Sequence, residues 1–403
     1  MLGFLSINQS KEAIASCEDA ERVYTEIGDR ENVANALNGI ASVHLDQEQP
    51  DAAMAKYKEV LSIFRQVGDL GGTATVLTNM ANVLQSQNHY TESLDLYRQA
   101  LKTMREVGYK ASEGGVLFDI VELQKDHSHL AEARVSLEQA LTVFRETGDK
   151  QHEASDLADL ADLYYASGEL DKAKNRLNQA ELILTQQPRK RSSAYSQRIW
   201  GELLSAEGNF IEARKRIQEA LSLYEAAEDK EAATSVKVDL ADLAFQEGRF
   251  AQAETEARAA IEECRAHKMP DDETQAHTVL AQSLLALGKW ADSQKEMDNA
   301  ETLLAKSDSA EARLYVGTIA ARVRATKVNA LATQTKLKAI LAGATRLGFV
   351  PEQFEARLAL GETEMNSGHT TEGRARLARL EQDASAKGFL LIAGKARAAA
   401  GQC

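Results

Sequence analysis

Residues 152–187 read HEASDLADLADLYYASGELDKAKNRLNQAELILTQQ. Apolar residues recur every three or four positions on both sides of Gly168. The spacing predicts two helices folded back on each other, the first ended by a left-handed glycine. The same hairpin returns at a step of 40 residues. Around Ala180 the column is Ala20, Val60, Ala100, Ala140, Ala180, Ala220, Ala260, Ala300, Ile340 and Leu380, apolar throughout. Seven residues upstream, Ala13, Ala53, Ser93, Ala133, Ala173, Ala213, Ala253, Ser293, Thr333 and Gly373 are all small. A third column, Ala41, Ala81, Val121, Ala161, Gly201, Ala241, Ala281, Ala321 and Gly361, is small or compact. Alanine-rich composition can produce one such column. Three in one register, with no insertion, require a structural cause.

That cause is close packing. Small side chains at a helix crossing let two backbones approach, and larger neighbours fill the space beside them. Tyr57, Tyr97, Leu137, Leu177, Ile217, Met297, Leu337 and Leu377 form such a larger column in the same register. Gly168, Gly208, Gly248, Gly288 and Gly368 mark the turn within a hairpin. Gly28, Gly68, Gly108, Gly148, Gly348 and Gly388 mark the joint to the next, and Asp29, Asp69 and Asp149 follow three of these as helix caps.

On these columns, with Ala161, Ala173 and Ala180 as one instance, the chain resembles the tetratricopeptide repeat family along nearly its whole length. The family unit is about 34 residues, so these longer units are closer to the arrays of kinesin light chains, Pins/LGN polarity adaptors and bacterial signalling proteins. The resemblance implies an all-α, right-handed superhelical solenoid of about ten antiparallel hairpins, a protein-binding scaffold rather than an enzyme. One continuous solenoid is expected over 1–403: a partial first unit at 1–28, regular units at 29–308, divergent units at 309–388, and a capping helix and tail at 389–403. In the partial unit only the second half of a first helix is present, MLGFLSI. In the divergent part Val328 stands where a turn glycine is expected.

The totals agree with a folded protein that is nearly all helix. Hydrophobic residues make up 44%, charged residues 27%, and 403 residues include only 4 prolines. A net charge of −14 disfavours nucleic acid and anionic membrane as partners. The 3 cysteines, Cys17, Cys264 and Cys403, form no CxxC pair, which points to a reducing, cytoplasmic compartment. No stretch approaches the roughly 18 apolar residues of a membrane span.

No catalytic, cofactor or metal motif is found: there is no Walker loop, GxGxxG, HExxH or GxSxG. His127 and His129 sit at a hairpin turn without a third ligand, and read as turn-edge polar residues. The basic joint QPRKRSS, 187–193, reads as an exposed loop, with a docking or cleavage site as the alternative.

The informative feature lies on the first helices. Asp159 with Asp162, Asp239 with Asp242, and Asp119 with Glu122 are carboxylate pairs three residues apart, hence on one helix face. Asn79 and Asn82 hold the same positions one unit earlier. Glu202 and Glu362 hold one of them later, with Arg198 close to Glu202. In the family the first helices line the concave groove. These positions therefore suit an acidic groove for a basic or amide-bearing protein segment, and equally suit a solvated polar face. A second expectation is a regulatory arm: the C-terminal sensor of a larger bacterial transcriptional regulator or Ser/Thr kinase whose effector domain lies upstream.

Overall fold

The computed structural model of the chain describes residues 7–325 and 329–401. Residues 1–6, most of the expected half-helix, and Val328 fall outside that range. Every regular element among the described residues is an α-helix, arranged as antiparallel hairpins of a tetratricopeptide-like solenoid. The chain forms two compact units, Met1–His127 with Val135–Gly148, and Ser128–Arg134 with Asp149–Cys403. The first unit contains α1 (Ile7–Ile27), α2 (Arg30–Asp46), α3 (Pro50–Val67), α4 (Leu70–Ser86), α5 (Tyr90–Val107), α6 (Lys110–Asp126) and most of α7 (Leu130–Thr147). The second contains the start of α7, then α8 (Lys150–Ala166), α9 (Leu170–Gln186), α10 (Lys190–Ala206), α11 (Phe210–Ala226), α12 (Lys230–Gln246), α13 (Phe250–His267) and α14 (Pro270–Ala286). It continues with α15 (Trp290–Leu304), α16 (Ala310–Val323), α17 (Ala330–Leu347), α18 (Val350–Asn366), α19 (Thr370–Ala386) and α20 (Leu390–Gly401).

The small columns are where helices cross. Ala53, Ala133, Ala173, Ala213 and Ala253 are fully buried. The serines of that column are buried as well, because each hydroxyl donates to a carbonyl of the partner helix: Ser93 Oγ to Ala81 O at 2.8 Å and Ser293 Oγ to Ala281 O at 2.7 Å. Gly201 and Gly361 admit a larger neighbour, since a Cβ there would meet Ile217 at 2.2 Å and Leu377 at 2.6 Å. In the first unit, Tyr57, Val60 and Phe64 pack with Leu37, Ile40 and Val76, and Tyr97, Leu101 and Met104 pack with Leu117, Ile120 and Phe144.

The joints follow a common plan. Asp29, Asp69, Asp149 and Asp229 each accept a backbone N–H from the residue three ahead, at 2.9–3.3 Å. Where the repeat lacks glycine, the same left-handed turn is made anyway: Glu48, Asn88, Ser128, Glu228 and Lys268 all have φ between 57° and 59°. Tertiary packing holds the turn against the local preference of the residue.

Successive hairpins are tied by side chains reaching about one repeat onward. Arg134 meets Glu169 at 2.9 Å, Arg214 meets Glu247 at 2.7 Å, Lys289 meets Glu254 at 2.7 Å, and Lys174 pairs with Glu207. At the basic joint, Lys190 Nζ donates to Ala226 O at 2.6 Å and Arg191 meets Asp229 at 2.9 Å. Both extend from the exposed segment to the joint one hairpin on.

Candidate functional site

In the second unit the first helix of each hairpin packs on the next: α8 on α10, α10 on α12, α12 on α14, α14 on α16, α16 on α18, α18 on α20. Helix α20 returns to touch α10, so the inner layer closes into a ring. The ring surrounds a half-open cavity of about 590 Å³, within the range of sites for small molecules or short segments. Its walls carry the carboxylates Asp162, Glu202, Asp239, Asp242, Asp271, Asp272, Glu311, Glu352 and Glu355, and a single cationic side chain, Arg198.

Arg198 is committed. Its guanidinium forks onto Asp239, with Nε to Oδ2 at 2.5 Å and an Nη to Oδ1 at 3.2 Å, while Glu202 lies 3.8 Å away. Tyr195 donates its hydroxyl to Asp159 at 3.1 Å, one hairpin back. Gln246 Nε2 donates to Asp242 at 3.3 Å, and Lys395 of α20 donates to Gln246 Oε1 at 2.6 Å. Further round, Gln282 Nε2 donates to the Tyr315 hydroxyl at 3.0 Å. Arg322 meets Glu362 at 3.1 Å and Glu355 at 3.5 Å.

Withdrawal from water dominates the electrostatics. It raises the Asp242 carboxyl to about 6, against the favourable pull of Lys395. Glu202 is raised by burial, opposed by Arg198 and reinforced by Asp239, Asp162 and Glu311. Glu352 is also raised by burial, and its Oε2 has no hydrogen-bond partner. The chamber therefore gathers many carboxylates around few cations, with Arg198 held on Asp239 and both Arg322 and Lys395 beside Glu355.

Of the ten residues singled out in the sequence, Asp162, Arg198, Glu202, Asp239 and Asp242 line the chamber, and Asp159 stands behind it on Tyr195. The other four belong to the first unit. There Asn79 Nδ2 donates to Asn38 Oδ1 at 3.2 Å, and Asn82 accepts from the buried Tyr97 hydroxyl. Asp119 is raised to about 6 by burial and by the neighbouring Glu122, which meets Lys125 at 3.5 Å. Sequence reasoning missed Tyr195, Gln246, Glu311, Glu352, Glu355 and Lys395. The register column of Asp162 carried one usable signal: at Gln282, Arg322 and Glu362 it stays polar through the later units.

It also passed over a buried acid. The column Val76, Val116, Asp156, Ser196, Val236, Ala276, Val316 and Ala356 is buried throughout, and apolar apart from Asp156 and Ser196. Asp156 Oδ2 and Ser196 Oγ both lack hydrogen-bond partners, and burial raises the Asp156 carboxyl to about 8. Among the described residues, no group of three or more His, Cys, Asp or Glu is placed to hold a metal ion. No helix of the described residues is long and apolar enough to cross a membrane.

Two family models match this chain. Tetratricopeptide repeat matches residues 7–66 and 32–106, and soluble NSF attachment protein, SNAP, matches residues 125–336, just over half the chain. The chain belongs to the tetratricopeptide-type helical-repeat superfamily, and to the SNAP family over residues 125–336. These are scaffold and adaptor modules, not catalytic ones. No curated protein matches the chain in sequence. Among solved structures, the apo form of RapI is similar at 16% identity and a TM-score of 0.57, covering 68% of this chain and 98% of that one. Aspartyl phosphate phosphatase F from Bacillus subtilis is similar at 12% identity and a TM-score of 0.56, covering 70% and 73%. A Rap protein complexed with competence and sporulation factor is similar at 12% identity and a TM-score of 0.52, covering 94% and 97%. At these identities the likeness is one of fold.

Proposed function

We propose that this protein is a binding scaffold whose acidic chamber receives a short cationic segment of a partner, such as a lysine- or arginine-bearing stretch of polypeptide. The observation that carries the reading is the charge of the wall: nine lining carboxylates against one lining arginine, itself held by Asp239, with Arg322 and Lys395 reaching Glu355 from beside it. A ligand bringing ammonium or guanidinium groups would gain charge-assisted hydrogen bonds and relieve repulsion among the carboxylates. Glu352 offers a buried acceptor oxygen with no protein donor. The volume suits a few residues rather than a folded domain. The solved structure of a Rap protein complexed with competence and sporulation factor supports the idea that such a fold holds a ligand.

Calorimetric titration with tetralysine, against a tetraglutamate control, tests the reading. Tetralysine should bind with an affinity that falls as salt rises, and Asp162→Asn with Asp242→Asn should weaken it. Equal binding of both peptides, or an affinity indifferent to salt and to both substitutions, refutes it.

A further inference from the structure

The cavity of the second unit has an apolar end as well as acidic walls. Three rings build that end. Tyr165, near the end of α8, lies on Phe389, the residue before α20, with centroids 5.8 Å apart and planes 30° apart. Phe389 in turn meets Phe354 of α18 edge-on at 5.4 Å. Phe354 and Phe389 are buried, and each fixes the other, so the floor they form is rigid.

The start of α20 adds to it. Its first residues, Leu390, Leu391 and Ile392, are all apolar, so the helix has more apolar surface than one core-facing stripe can hide. Ile392 and Ala393 are buried. Leu391, about 100° round the helix from Ile392, stays half-buried and lines the cavity, as does Tyr165. Apolar surface thus remains open to the cavity at Tyr165 and Leu391, backed by packed rings.

Carboxylates border this surface. Burial, followed by the charges of Glu202 and Glu352, raises the Tyr165 hydroxyl well above its ordinary value, which marks both acids as its neighbours. Glu352 lies two residues before Phe354 on α18, and its Oε2 is buried without a hydrogen-bond partner. An acceptor withdrawn from water and left without a donor costs free energy that a ligand donor would recover.

We propose that this end of the cavity is an apolar subsite beside the cation site: the segment it takes carries an aromatic side chain, seated on Tyr165 and Leu391, next to a lysine or arginine that donates to Glu352. The basic residue rests on the cationic-ligand reading, whereas its aromatic neighbour rests on the floor of rings. In sites of this size apolar surface supplies most of the drive and a few polar groups fix orientation. A purely basic segment would leave Tyr165 and Leu391 wet and forgo the apolar gain. A ligand ring on Tyr165 would also extend the run from Tyr165 through Phe389 to Phe354.

Calorimetric titration of the full chain with three tetrapeptides, blocked at both ends, tests this. They are Lys-Phe-Lys-Phe, Lys-Ser-Lys-Ser and Ser-Phe-Ser-Phe. Lys-Phe-Lys-Phe should bind at least about tenfold more tightly than Lys-Ser-Lys-Ser, the gain from seating one aromatic side chain. Leu391→Gln should shrink that ratio. Glu352→Gln should weaken both lysine peptides by a similar factor and preserve it. The comparison of peptides needs no variant, and circular dichroism checks that both variants are folded. Equal affinity of the two lysine peptides, or a ratio that Leu391→Gln does not move, overturns the subsite and leaves the cationic reading standing. Ser-Phe-Ser-Phe binding as tightly as Lys-Phe-Lys-Phe upholds the apolar subsite and removes the cationic reading. Failure of all three peptides to bind overturns both.

Discussion

Val350 lies against the backbone of Gly168, so near that a methyl group on the glycine would sit 2.7 Å from Val350 Cγ1. Gly208, at the same register one hairpin on, has nothing within 4 Å. Alanine at either position strains a left-handed backbone, by roughly 1–2 kcal/mol. Gly168→Ala adds a clash with a stiff β-branched side chain. Thermal denaturation should therefore show Gly168→Ala to be more destabilising than Gly208→Ala. Val350→Ala should recover the difference in a double-mutant cycle. Equal effects at the two glycines would mean that Val350 does not press on Gly168 in solution.

Asp156 places a carboxylate in a buried column otherwise made of valines, alanines and Ser196. Its pKa in the fold, about 8, lies above the ordinary value of 3.8. The native state therefore holds the proton more tightly than the unfolded chain. Its penalty is absent below about pH 4, grows through the interval to about pH 8, and is complete above that. Stability should fall with rising pH over this window, by at most about 1.4 kcal/mol per pH unit from this group. Asp156→Val should raise the denaturation midpoint at pH 8 and flatten the slope, as followed by urea unfolding at several pH values.

Arg198 and Asp239 form a forked pair, 28% and 8% exposed in their side chains. Removing either partner leaves the other charge poorly solvated. Asp239→Asn and Arg198→Met should each destabilise by about 2 kcal/mol, somewhat below the fully buried range. The double variant Arg198→Met with Asp239→Val should lose less than the sum. Chemical denaturation of the four proteins measures this.

Glu228 closes a joint with φ 57°, a conformation that glycine adopts freely. Glu228→Gly should stabilise by up to about 1 kcal/mol, the reverse of the usual effect of glycine. Glu225→Gly, inside α11, should destabilise by about the same amount. Calorimetric midpoints for the pair distinguish strain at one site from a general response to glycine.

Asp242 is raised to about 6, so lowering the pH through 6 removes negative charge from the chamber. Tetralysine affinity should drop several-fold between pH 7.5 and 5.5, while lysine keeps its charge throughout. Asp242→Asn should start weaker and lose less over the same range. An affinity that does not change with pH would place the peptide elsewhere.

Much of the fold was legible because each repeat packs chiefly on its neighbours, so steric demands at every crossing recur every 40 residues in plain sight. The small residues Ala173 and Ala180, the larger Leu177 between them and the turn at Gly168 specify a hairpin without reference to the rest of the chain. Helical period also placed Asp159 with Asp162, and Asp239 with Asp242, on one face each. The closure was not legible. Val350 and Gly168, Leu170 and Gly388, and Lys395 and Gln246 meet after nearly a full circuit of hairpins. Small rotations between successive repeats accumulate over that distance, and no local pattern records their sum. Tertiary structure alone decided that the acidic faces of α8, α10 and α12 are met by Glu311, Glu352 and Glu355. It also decided that Arg198 is already taken by Asp239. Local sterics are written in neighbouring residues, whereas charge compensation depends on every group within a Debye length, whatever its distance along the chain.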